Sequence, residues 1–274
     1  MIIRNTQSRL RAAVLLLAAS AFVLLEAAES GPSLSRKGMI STAHPLATRA
    51  GVEILKSGGN AFDAAVAVAA ALNVVEPMMS GMGGYGTILV YDAKKKIVRF
   101  LNPSGRIPAR LNPDVFREPY PGAQENRRGA AAVSTPGNLH AWETLSREFG
   151  RLDWSTLLAP AIRLAEAGFI IDERTSRAIE SAFEELTPYV QNIYGREGRP
   201  LGPGKRLVQA DLGRTLRMIS GRGASAFYQG LVAEIIVKTL REKGGFLSLE
   251  DLGTDHSEWF APIRISYRGN EVYT

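Results

Sequence analysis

Ile54-Leu-Lys-Ser-Gly-Gly-Asn-Ala-Phe-Asp-Ala-Ala-Val66 decides how the chain is laid out, because it stops one helix and starts another around a single turn. Upstream, Ala47, Ala50, Gly51, Ile54 and Leu55 recur at the spacing of one helix face, and Gly58-Gly59 supplies a stop, which predicts a helix over 46–56. Asn60 then stands at an N-cap position with Asp63 three residues on, a pairing that can satisfy the free N–H groups of a new helix. The Ala- and Val-rich run from there to Leu72 is apolar on every side, so this second helix is expected to be buried. His44, just before Pro45, is placed either to cap the first helix or to line a cavity.

Downstream, Pro77 closes the buried helix, and a loop over 78–86 leads into a strand at 87–91. A turn at 92–96 and a second β-branched, aromatic strand at 97–101 complete a hairpin. This order matters because Gly81-Met-Gly-Gly-Tyr-Gly86 satisfies the G-x-G-x-x-G dinucleotide pattern. That pattern works only with a strand before the glycines and a helix N-terminus after them, where free N–H groups hold the pyrophosphate. Here the order is helix, glycine loop, strand, so nucleotide binding is not expected and the glycines read as close backbone packing or positive φ.

Residues 103–129 mix prolines, glycines and charges and read as an extended surface loop. From Pro136, the residues Leu139, Trp142, Leu145 and Phe149 share a helix face that Gly150 ends. Further helices are expected from Pro160 to Gly168, over 177–186, and on Leu231, Val232, Ile235, Ile236 and Leu240 ahead of Gly244-Gly245. A mobile surface segment is expected near 195–204. Strand patterns at 263–267 and 271–274 flank the turn Arg268-Gly269-Asn270; the second is short for a finished hairpin, and the chain is expected to be incomplete.

A chain of 274 residues, 45% hydrophobic and 22% charged, has the composition of a globular protein. Removing residues 1–28 takes away Arg4, Arg9, Arg11 and Glu26, a net +2, and lowers the formal charge from +6 to +4. Lys94-Lys95-Lys96 is the only basic run; it has no interleaved aromatic residues and a solvated hairpin turn accounts for it, so nucleic acid is not an expected partner. The absence of cysteine excludes disulfides, a thiol nucleophile and thiolate metal sites. Arg4, Arg9 and Arg11 precede an apolar run over 12–25 and the small Ala27 and Ala28, the order of a secretory signal peptide. Residues 1–28 are therefore expected to direct export to the periplasm or cell exterior, with 29–274 as the remaining region. An uncleaved anchor is the alternative and the only expected link to a membrane. His44, His140 and His256 stand in no catalytic motif and no carboxylate pair stands out, so the residues call for no cofactor, metal or catalytic group of their own.

Several blocks taken together resemble the gamma-glutamyltranspeptidase family. They are Gly38-Met-Ile-Ser-Thr-Ala-His-Pro, the stretch 54–66, Val75-Glu-Pro-Met-Met-Ser-Gly-Met-Gly-Gly-Tyr-Gly-Thr-Ile-Leu-Val-Tyr91, Thr135-Pro-Gly, Pro160-Ala-Ile-Arg-Leu-Ala-Glu-Ala-Gly-Phe169, Phe227-Tyr-Gln-Gly, Asp251-Leu and Tyr267-Arg-Gly, all in the family's order. The resemblance implies an αββα four-layer N-terminal nucleophile hydrolase fold, incomplete here because only the large-subunit part is present. It also implies a precursor that cuts itself and exposes a threonine at the start of a small subunit. A mid-chain nitrogen is an amide and cannot take the hydroxyl proton, whereas a free α-amine can. That threonine is expected beyond residue 274, so no catalytic residue is assigned within this chain.

The implied substrate is a small gamma-glutamyl compound such as glutathione, and the implied partner is the chain's own small subunit. One family site is expected inside the chain, an arginine in the pattern Asp-x-Arg-Glu-x-Ala-Pro that grips the substrate's α-carboxylate. Aligned on Pro108, Asn102-Pro-Ser-Gly-Arg-Ile-Pro108 puts Ser104 at the arginine and Gly105 at the glutamate. Arg106 lies two residues on and either takes over the carboxylate or is a surface arginine; Asn102, Ser104 and Arg106 are the candidate substrate-binding residues. The departure keeps open an acylase of the same superfamily acting on another amide, and an inactive truncated subunit.

Overall fold

A computed structural model describes residues 35, 37–117, 127–254 and 256–274; the expected leader over 1–28 lies outside them. The chain divides into Met1–Met39 and Ile40–Thr274, and every element below belongs to the second unit. Helix α1, Pro45–Lys56, starts on His44, whose Nδ1 accepts the Leu46 N–H at 3.1 Å. Helix α2, Ala61–Val75, starts with the expected reciprocal cap: Asn60 Oδ1 accepts from Phe62 N and Asp63 N, and Asp63 Oδ2 accepts from Asn60 N at 2.9 Å. Val66, Ala67, Ala70, Ala71 and Val74 have no exposed surface, as an all-round apolar helix requires. Close approach of α1 depends on Gly51, where a Cβ would fall 2.7 Å from Val68 Cγ2 of α2.

Strands β1, Ile88–Asp92, and β2, Ile97–Asn102, form the expected antiparallel hairpin with Val90 opposite Arg99. Its turn holds the lysine run, with Asp92 Oδ1 accepting the N–H groups of Lys94 and Lys95. A third strand, β3, Glu258–Phe260, pairs with the end of β2 and places Glu258 opposite Asn102. Val90 and Leu101 belong to the same buried cluster as α2. The other face of the sheet carries Leu89, Tyr91, Phe100 and Phe260, of which Tyr91 is 61% exposed. An antiparallel sheet with one solvated face normally alternates to polar residues there. This face is apolar, as one half of a sheet-on-sheet pair would be.

Between β2 and β3 the chain is mostly helical. Helix α3, Asn138–Phe149, ends at Gly150 as expected. Helix α4, Trp154–Ala167, corrects the expected start at Pro160, which lies mid-helix. An internal proline costs about 3 kcal/mol, but Leu157, Leu158, Ala161 and Ala165 are completely buried on the same helix, and that burial offsets it. Helix α5, Glu173–Ala182, also begins earlier than expected, because Asp172 caps it by accepting the Thr175 N–H at 2.8 Å. Helix α6, Pro188–Tyr194, and helix α7, Ala210–Arg222, had not been expected; α7 buries Leu216 and Ile219 against the core.

Three further expectations are corrected. The segment 195–204 is a pinned hairpin, with Gly195–Arg196 paired to Arg199–Pro200 and the carbonyl of buried Leu201 accepting from Ser176 Oγ. The expected loop at 103–129 is not all surface, since Pro103 and Pro108 are buried. Helix α8, Leu231–Glu242, forms as expected. Strands β4, Arg264–Tyr267, and β5, Asn270–Tyr273, pair in full register, and Ile263 and Thr274 exchange both N–H···O bonds at 3.0 Å, so the second strand is long enough to close its hairpin.

Candidate functional site

The end of β2 leads into the stretch that the sequence singled out. Asn102 is half-buried, and its Oδ1 accepts the Ser104 N–H at 3.0 Å, an Asx-type turn that lifts the chain away from the strand. Residues 103–106 then run against 135–137, with the Thr135 N–H donating to the Arg106 carbonyl at 3.1 Å. The approach is so close that a Cβ on Gly105 would lie 1.4 Å from Thr135 O, and one on Gly137 would lie 1.9 Å from Pro103 O. Only glycine fits either position. The glutamate that the family pattern places at 105 therefore has no room here, and the departure is built into the backbone.

Arg106 leaves this pinned segment with its side chain 62% exposed and reaches Glu258, Nη2 to Oε1, at 2.9 Å. His256 Nε2 lies 3.4 Å from the same oxygen. Glu258 is held from two sides: by its register opposite Asn102, and by the Ser257 N–H, which donates to His140 Nδ1 on α3 at 3.2 Å. His140 is in turn fixed by its own N–H, which donates to Tyr228 Oη. Of the three candidate residues, Arg106 is thus brought to a charged partner, Asn102 shapes the turn, and Ser104 lies exposed beside them. Glu258 escaped the sequence reading, which also placed His256 in no motif and gave no sign that Gly105 and Thr135 meet. Arg106 and Glu258 are 152 positions apart, and no local pattern announces which strand β2 will take as its second neighbour.

A second polar cluster is structural. Arg174 Nη2 lies 2.8 Å from Oε1 of buried Glu76, which caps the end of α2. Burial pushes the His44 imidazole below its ordinary value against the pull of Asp172 and Glu76, and the Thr175 N–H holds the Asp172 carboxyl below its own. These groups tie together the start of α1, the end of α2 and the start of α5.

The glycine loop is stitched to α3: Asn138 Nδ2 donates to Gly81 O at 2.9 Å, and the N–H groups of Gly137 and Asn138 both donate to Gly84 O at 3.1 Å. Together with Ala69, Leu72 and Trp142 it lines an open cleft of about 400 Å³. None of Gly81, Gly83, Gly84 and Gly86 has a positive φ, and a Cβ on any of them would meet nothing closer than 3.4 Å. Positive φ is thus excluded as their purpose, and nothing among the described residues demands glycine there. Among the described residues no cluster of His, Cys, Asp and Glu could hold a metal ion, and no helix is long and apolar enough to cross a membrane.

Comparison with known proteins agrees with this geometry. The chain is 38% identical over 242 residues to a glutathione hydrolase-like proenzyme of Bacillus subtilis, covering 88% of this chain and 46% of that protein. It is 37% identical over 254 residues to an acylase proenzyme of a Pseudomonas species, covering 89% of this chain and 45% of that one. The chain thus spans a little under half the length of these relatives. Among solved structures, Helicobacter pylori gamma-glutamyltranspeptidase superposes with a TM-score of 0.83 at 31% identity, covering 88% of this chain and 70% of that one. The fold is accordingly the α+β N-terminal nucleophile hydrolase fold, to which the described residues contribute one three-stranded sheet, three two-stranded sheets and the helices. The family model for gamma-glutamyltranspeptidase matches residues 47–274. With sequence and structure agreeing over most of its length, this chain belongs to the gamma-glutamyltranspeptidase family.

Proposed function

We propose that this chain is the large-subunit portion of an exported precursor that cuts itself, forms a threonyl ester with a gamma-glutamyl donor of the glutathione type, and passes the acyl group to water or an amine. The nucleophile belongs to the small subunit, whose sheet covers the apolar face of Leu89, Tyr91, Phe100 and Phe260. No threonine within 37–274 has the free α-amine that would take its hydroxyl proton, so the chain by itself is expected to be inactive. The observation that carries the reading is the placement of Arg106 at the end of β2, on a segment pinned by Gly105 and Gly137. A guanidinium held there offers the planar fork of donors that suits a carboxylate.

A second reading, an acylase taking another amide, is favoured by the steric exclusion of a side chain at Gly105 and by the similarity to the Pseudomonas acylase proenzyme. Hydrolysis of gamma-glutamyl-p-nitroanilide by the full-length gene product separates the two. Turnover is expected, with kcat/KM falling roughly 10- to 100-fold in Arg106→Ala as a charge-assisted carboxylate contact is lost. Self-cleavage without turnover of this donor would favour the acylase. Export rests on the order of residues 1–28, and sequencing the N-terminus of the mature protein tests it.

A further inference from the structure

The lysine run of the β1–β2 turn has no part in the proposed reaction, yet the fold gives it a setting that the sequence does not show. The turn is separated from Asn102 by the whole of β2, a strand of roughly 20 Å, and so lies away from the candidate site. There Lys94 and Lys95 line an open cleft of about 510 Å³ together with Arg151, Phe62, Phe149 and Tyr91. A cleft of that size accepts a small organic molecule. We propose that it binds a small organic anion, whose acidic head is taken by Lys94, Lys95 and Arg151 and whose apolar body lies against Phe62 and Phe149. The site is independent of the proposed acyl transfer.

Three features support it. The two carboxylates that also line the cleft, Asp92 and Glu148, are already engaged. Glu148 is paired with Arg99 at 3.3 Å and accepts the Trp259 Nε1–H at 2.8 Å, while Asp92 Oδ1 accepts the N–H groups of Lys94 and Lys95. The side chains of Lys94, Lys95 and Arg151, by contrast, have no ion-pair partner among the described residues, so the positive charge of the cleft is left for an outside anion. The apolar wall is built as well: Phe62 and Phe149 stack with ring centroids 4.5 Å apart, a flat surface for a ligand ring. Finally, the cations stand on fixed backbone. The Arg151 N–H donates to both oxygens of buried Asp63, and Asn60 Nδ2 holds the Phe149 carbonyl at 2.6 Å. Three solvated surface cations with no ligand role are the competing explanation, and they predict no saturable site.

The test is calorimetric titration of the full-length gene product with 2-naphthoate, its neutral analogue 2-naphthylmethanol, and inorganic phosphate. Saturable binding of 2-naphthoate is expected, tighter than that of either other probe and weakened by added salt. In Lys94→Gln/Lys95→Gln/Arg151→Gln its Kd is expected to rise roughly tenfold or more, since each exposed charge pair contributes a few-fold at most. All three substitutions are at exposed positions, so Tm and self-cleavage should match the parent. Lys94→Arg/Lys95→Arg/Arg151→Lys, which keeps every charge, should retain binding even if the neutral variant fails to fold. Absence of saturable binding by the unmodified protein, or an unchanged Kd in the neutral variant, would overturn the site. Equal affinity for 2-naphthylmethanol would overturn the role of the cations, and equal affinity for phosphate that of the aromatic wall.

Discussion

At Gly105 a single hydrogen in place of a methyl group lets the chain pass within contact of the Thr135 carbonyl. Gly105→Ala would force backbone against backbone. The variant is expected to lose about 3 kcal/mol or more of stability, read as a fall in Tm of the full-length protein. Ser104→Ala, at an exposed neighbour, should change stability by no more than about 0.5 kcal/mol. His44 has a different sensitivity. Its Nδ1 accepts the Leu46 N–H only while the ring is neutral, and burial holds its pKa below the ordinary 6.5. Because the folded value is the lower one, the contribution is fully present above pH 6.5 and is lost as pH falls from there through the lowered folded value. Asp172 has the same sign, but its contribution is lost only below its ordinary 3.8. In His44→Asn, which keeps a capping oxygen, the decline of Tm just below pH 6.5 is expected to flatten; an unchanged profile would contradict this account of the cap.

Among the elements, the junction of α1 and α2 depends most on a few atoms. Asp63 is fully buried, closes the cap on Asn60 and also accepts the Arg151 N–H from both oxygens at 3.1 Å, while Asn60 Nδ2 donates to Phe149 O. Asp63→Ala should therefore cost about 2–4 kcal/mol, more than a surface cap, since it also strands a partly buried N–H; urea unfolding measures it. This junction was legible in the sequence because caps and stops are local. Helix α4 was misplaced for a related reason: Pro160 looks like a first-turn proline until the buried Leu157 and Leu158 ahead of it are known. Helix α7 was missed because Arg214, Arg217 and Arg222 dilute the spacing of Leu216 and Ile219. The candidate site was half legible. Arg106 could be found by aligning on Pro108, but Glu258, His256 and the seating of Gly105 on Thr135 arise only when distant segments meet.

For the whole molecule, the notable feature is a sheet whose outer face is apolar. Leu89, Tyr91 and Phe260 are large and exposed, with Phe100 of the middle strand opposite both Leu89 and Phe260, and the separate β4–β5 hairpin has exposed Ile265, Tyr267 and Val272. Apolar surface of this kind marks an interface, and left uncovered it promotes association. Residues 29–274 produced alone are therefore expected to aggregate, and a monodisperse monomer with a cooperative melt would contradict the inference that a second sheet belongs on this face. The central claim, that this chain is one part of a self-cleaving threonine hydrolase, is tested most directly by intact-mass and N-terminal analysis of the purified full-length gene product. The account predicts two chains that remain associated, the second beginning with threonine. A single uncut, stably folded chain would contradict it.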